Sequence, residues 1–186
     1  MARTPSVMPP LGGLAPDFSL PDPSGKLWAR DQVRGAKGLL VMFICNHCPF
    51  VKHIAAELAR LGKDLAADGI GVVAINSNDV DNYPDDRPEL MAVESKHRGY
   101  TFPYLYDGSQ DVAKSYQAAC TPDFFLYDQS LRLAYRGQLD GSRPGNEVPV
   151  TGQDLRRAAA ALLASRAIPE PQVPSIGCNI KWRAAH

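Results

Sequence analysis

The strongest constraint on the fold is a change of hydrophobic period at a pair of cysteines. Gly38 to Ile44 is a continuous apolar stretch rich in Leu, Val, Met and Phe, the pattern of a strand buried on both faces. Directly after it, Phe50, Ile54, Leu58, Leu61 and Leu65 recur at intervals of four, four, three and four. That spacing puts them on one face of a helix, which Gly69 stops. Cys45 and Cys48 stand between the two segments, so the sequence predicts a strand-to-helix junction carrying a Cys-x-x-Cys pair.

Other elements follow from the same reading of period and punctuation. Ile70 to Ile75 reads as a second buried strand, and the polar stretch Asn76 to Asp86 as a surface loop. A helix is expected from Pro88 to Arg98, with proline in its first turn and Gly99 beyond its end. Thr101 to Tyr106 is a short strand and Ser109 to Tyr116 a short helix. Phe124 to Tyr127 and Leu131 to Gln138 form an antiparallel hairpin across Asp128-Gln129-Ser130. Thr151 with Asp154 has the spacing of a capping box and opens an Ala/Leu-rich helix reaching about Arg166.

At the ends, residues 1–14 form a proline-rich irregular lead-in, followed by a hairpin around Asp22-Pro23-Ser24-Gly25. Residues 168–186 form a Pro-rich tail in which Ile176, Cys178, Ile180 and Trp182 alternate, the pattern of an extended segment docked on the domain. The order of elements predicts an α/β fold, a central mixed β-sheet flanked by helices, with an N-terminal β-hairpin extension and a C-terminal extended tail. A chain of 186 residues suits one core, so residues 1–186 are read as a single domain.

Composition narrows the partners. Lys plus Arg and Asp plus Glu number 20 each, so no net field draws the chain to nucleic acid or to an anionic membrane. The longest apolar run, Leu39 to Cys45, is far shorter than the ~20 residues of a spanning helix. The opening Met-Ala-Arg-Thr-Pro-Ser-Val-Met-Pro-Pro has no apolar core of a signal peptide, so a cytoplasmic location is expected. There a disulfide scaffold is not expected, and four cysteines are too few to build one.

A thiol at a helix N-terminus meets unpaired amides and the positive end of the macrodipole, which favour thiolate. Two intervening residues let the second thiol attack a mixed disulfide formed by the first. On this reading Cys45 is the nucleophile, Cys48 the resolver, and His47 a tuner whose protonated ring stabilises thiolate. A stabilised reduced form makes a stronger oxidant, so the expected potential lies above the ~−270 mV of thioredoxin. Cys45, His47, Cys48 and His53 could instead form half of a zinc site, but no second Cys-x-x-Cys completes it. A soft ion such as copper(I), held by the two thiolates with Cys120 or a histidine, is a further alternative. Neither a cofactor nor a resident metal is expected in the leading reading.

Four segments resemble the thioredoxin superfamily, and within it the peroxiredoxin-like branch of alkyl hydroperoxide reductase and thiol-specific antioxidant proteins. They are Ala15-Pro16-Asp17-Phe18, Cys45-Asn46-His47-Cys48-Pro49, Thr121-Pro122-Asp123, and Ser175 to Trp182. The resemblance implies a thioredoxin-like fold, a cis Pro122 beside Thr121 facing the dithiol, and thiol–disulfide oxidoreductase activity. It further implies substrates that are protein or small-molecule thiols and disulfides, with peroxide as an alternative attacked by Cys48 in an antioxidant cycle. Peroxiredoxins carry a threonine three residues before that cysteine and a proline four earlier still, where this chain has Cys45 and Val41. Exchange by the dithiol therefore ranks first. Cys120 and Cys178 are candidate tuning or resolving thiols, and Arg136 and Arg143 candidates to approach the site.

Overall fold

The computed structural model describes residues 3–184. In chain order its elements are β1 (Arg3–Pro5), β2 (Ser19–Pro21), β3 (Leu27–Ala29), α1 (Arg30–Val33), β4 (Gly38–Phe43), α2 (Pro49–Ala67), β5 (Ile70–Asn76) and α3 (Pro88–Arg98). These are followed by β6 (Tyr104–Tyr106), α4 (Asp111–Ser115), β7 (Cys120–Thr121), β8 (Asp123–Asp128), β9 (Leu133–Gly137), α5 (Gln153–Leu163) and β10 (Ile176–Asn179).

A five-stranded sheet in the order β6-β5-β4-β8-β9 forms the centre. Its first three strands run parallel, while β8 and β9 are antiparallel additions. All six residues of β4 are buried, as a strand covered on both faces requires. Leu40, Met42 and Ile44 face Leu58 and Leu61 of α2 and Leu155 of α5. Leu39, Val41 and Phe43 face the opposite layer with Phe18, Tyr116 and Phe125. The mixed α/β architecture expected from the sequence is thus observed, including the β2–β3 hairpin about Asp22. No helix among the described residues is long and apolar enough to cross a membrane.

Several local expectations are corrected. Residues 1–14 are not wholly irregular, because Arg3–Pro5 pairs with β10, whose edge would otherwise lie open. Asn76 to Asp86 is not a surface loop along its whole length: Asn76, Ser77, Asn78, Asp79 and Asp86 are buried. They are tolerated because backbone groups, one another and, for Ser77, the Asp107 carboxylate satisfy them. The Thr151–Asp154 capping box does not form. Gly152, at φ 66°, is the N-cap of α5, and the Asp140 carboxylate accepts the Thr151 and Gly152 amides instead, at 2.8 and 2.6 Å. Asp154 is drawn away to accept a 2.6 Å bond from Gln138, and α5 ends at Leu163 rather than near Arg166.

Candidate active site

The junction after β4 brings together residues from four parts of the chain. Cys48, not Cys45, is the N-cap of α2, and Pro49 occupies the first helical position, where its missing N–H costs nothing. The helix therefore aims its free first-turn amides at Cys48, leaving Cys45 three residues upstream. Across from them the Thr121–Pro122 bond is cis. Cys45 Sγ lies 3.3 Å from Thr121 Oγ1, and Cys48 Sγ lies 3.2 Å from the Thr121 carbonyl oxygen.

The third part is the tail. β10 lies antiparallel between β1 and β7, with Cys178 opposite Thr121 and Asn179 opposite Cys120. This register carries Cys178 Sγ to 3.0 Å from Cys48 Sγ. Cys178 and Ile180 are buried, whereas Ile176 and Trp182 remain partly exposed, so only the middle of the expected apolar alternation faces inward. Cys120 is also buried, but its thiol points to the Pro122 carbonyl oxygen at 3.5 Å rather than to a sulfur. The guanidiniums of Arg136 and Arg143 bond elsewhere, to Pro9 and Gln172 and to Asp140, Ser142 and Gln138 respectively.

These surroundings separate the thiols electrostatically. A hydrogen bond from Cys45, assisted by Cys178 and the Val51 amide and opposed by burial, lowers Cys48 to about 5. Burial, the Cys48 hydrogen bond and the charge of Asp86 push Cys45 up. Burial first, then the neighbouring Cys48, raises Cys178 to about 12. Burial raises Cys120 far above the thiol range.

His47 is held by a residue that the sequence did not single out. Asp86 is fully buried, and its carboxylate lies 2.6 Å from His47 Nδ1. It also accepts the backbone amides of Asn46 and His47 at 2.8 and 3.2 Å and the Asn78 side-chain amide at 2.8 Å. The Asp86 hydrogen bond raises the pKa of His47. Burial pushes Asp86 upward, but His47 and Asn78 outweigh it and hold the carboxyl below its usual value. The His47 ring stacks on Tyr83 at 5.6 Å.

The two shifts fix a pH window. His47 contributes stability in full below its unfolded value and loses it as pH rises through the raised folded value. Asp86 contributes above its unfolded value and loses it as pH falls through the lowered one. The pair is therefore most stabilising between about pH 4 and 6.5. Asp86→Asn should cost about 2 kcal/mol in that window, since it leaves a half-buried histidine without its counter-charge. The penalty should shrink above it, as seen by urea unfolding at a series of pH values.

Cys45, His47 and Asp86 could offer ligand atoms within 4.8 Å of one another. A metal there has to displace the short His47–Asp86 bond, and Cys120, the expected helper, is turned away.

A model of the AhpC/TSA family matches residues 11–136. The crystal structure of an uncharacterized conserved protein from Geobacillus kaustophilus superposes with a TM-score of 0.97 at 51% identity, covering 100% of this chain and 99% of that one. A hypothetical protein from Sinorhizobium meliloti 1021 matches with a TM-score of 0.96 at 52% identity over 98% of this chain and 100% of that one. A secreted disulfide oxidoreductase of Mycobacterium tuberculosis shares the fold at a TM-score of 0.59 and 16% identity, over 77% of this chain and 95% of that one.

Proposed function

This chain belongs to the AhpC/TSA family, and on that premise we propose that it is a thiol–disulfide oxidoreductase whose reacting group is the Cys48 thiolate and whose partner sulfur is Cys178. The observation that carries this reading is the 3.0 Å approach of the two sulfurs at the N-cap of α2. It reverses the roles expected from spacing alone: Cys48 attacks, and Cys45 supports the thiolate as a hydrogen-bond donor.

In the forward direction, the Cys48 thiolate attacks one sulfur of a disulfide R–S–S–R. A Cys48–S–S–R mixed disulfide forms and RS⁻ departs, taking a proton for which the His47 imidazolium is a nearby source. Consuming the thiolate removes the negative charge and hydrogen bond that help hold the proton on Cys178. Cys178 then loses its proton and attacks the Cys48 sulfur, expelling the second RS⁻. The protein has given up two electrons, the substrate has become two thiols, and a Cys48–Cys178 disulfide remains for an external dithiol to reduce.

A second reading is hydroperoxide reduction, favoured by complete burial of Cys48, which suits a small oxidant. The thiolate attacks ROOH to give Cys48–SOH and, after protonation, ROH; Cys178 condenses with the sulfenic acid and releases water. Turnover of hydroxyethyl disulfide and of hydrogen peroxide, each with excess dithiol, separates the two. The leading reading predicts faster disulfide turnover and a loss of about tenfold in Cys45→Ser; with no dithiol present, Cys178→Ser should release one RS⁻ per protein and keep a Cys48–S–S–R adduct, where the wild type releases two. Peroxide turnover exceeding disulfide turnover establishes the second reading, and release of two RS⁻ per protein by Cys178→Ser without dithiol contradicts the role of Cys178. The cytoplasm is the compartment we assign to this chemistry.

A further inference from the structure

The tail strand does more than deliver a sulfur. β7 has only two residues, and β10 occupies its edge through the Cys178–Thr121 and Asn179–Cys120 pairings. Gly177 is pressed so closely on this edge that an added Cβ would lie 2.0 Å from the Thr121 carbonyl oxygen and 3.0 Å from the Pro122 nitrogen. The segment is anchored on both sides. Ser175 Oγ donates to the Pro122 carbonyl oxygen at 2.7 Å, and the Ser175 carbonyl oxygen accepts the Ser6 amide at 2.8 Å. Beyond the strand, Ile180 is buried and the Lys181 amide donates to Asn78 at 2.8 Å.

The geometry displays how a sulfur in an extended strand reaches Cys48: by antiparallel pairing with Cys120–Thr121. A foreign peptide disulfide needs the same backbone groups, and they are taken. We propose that β10 is a specificity strap, which occupies the peptide-pairing edge beside Cys48 and confines external substrates to low-molecular-weight disulfides or hydroperoxides, excluding cysteines within extended polypeptide. The inference rests on the Cys48 thiolate reading and deepens it by naming the substrate class.

Two activated disulfides with the same pyridine-thiol leaving group test it. One carries hydroxyethanethiol and the other a short unstructured peptide with a central cysteine. Each reacts stoichiometrically with reduced protein: Cys48–S⁻ attacks the substrate-side sulfur, pyridine thiolate leaves and is read by absorbance, Cys178 then expels the substrate thiol, and peptide mapping finds Cys48 in the Cys48–Cys178 disulfide that remains. In the wild-type protein the small reagent should react at least ~100-fold faster than the peptide. In Gly177→Val, and in the milder Gly177→Ala, the strand is forced off the Thr121 carbonyl and the ratio should fall below about tenfold. Comparable wild-type rates for the two reagents overturn the strap, and so does an unchanged ratio in a folded Gly177→Val. If neither variant folds, the wild-type ratio alone decides. Failure of Cys48 to react with either reagent is a distinct result: it overturns the thiolate reading, and the strap with it.

Discussion

Cys48→Ser should abolish turnover of every oxidised substrate, by at least ~10³-fold, while leaving the fold intact. The loss is chemical, since a serine hydroxyl at the N-cap of α2 does not ionise in the range where a thiol of pKa about 5 does. Structural damage should be small. Serine is a favoured N-cap residue, and its hydroxyl can donate to the Thr121 carbonyl oxygen that now lies 3.2 Å from the Cys48 sulfur. The check is turnover together with far-UV circular dichroism and thermal midpoint. Retention of more than a few per cent of activity by folded Cys48→Ser would move the reacting group to Cys45, whose thiol is raised by burial and by the Asp86 charge.

Oxidation should stabilise the protein by up to about 5 kcal/mol, because a Cys48–Cys178 bond joins residues 130 apart in sequence and so removes much chain entropy from the unfolded state. The bond also ties α2 to the tail strand. A Cys45–Cys48 bond closes a loop of only two intervening residues and constrains the unfolded chain far less. Denaturant unfolding of reduced and oxidised protein reads the difference, with Cys178→Ser as the control that should gain almost nothing. A gain on oxidation no larger in the wild type than in Cys178→Ser would show that Cys178 does not take part in the bond.

Legibility in the sequence followed locality. The β4–α2 junction was readable because its apolar period changes across only a few residues, and α3 because Pro88 and Gly99 mark both ends, Gly99 adopting the left-handed φ of 71°. The cis bond at Pro122 followed from a resemblance rather than from local propensity. Asp86 was invisible: it lies in a polar stretch without period, and its purpose comes from pairing with Asn46 and His47, 40 and 39 residues earlier. The position of the helix start at Pro49, which makes Cys48 rather than Cys45 the N-cap, was not fixed by the Cys-x-x-Cys spacing. Likewise, Thr151 has the right spacing for a cap, but Asp140, eleven residues before it, supplies the carboxylate.

The most direct test is to oxidise reduced, metal-free protein with one equivalent of small disulfide, quench with acid and map every sulfur by mass spectrometry. A reversible Cys48–Cys178 disulfide is expected, with Cys45 and Cys120 alkylatable after unfolding. A predominant Cys45–Cys48 disulfide, with Cys178 still reduced, would contradict it and return the tail to a purely structural part.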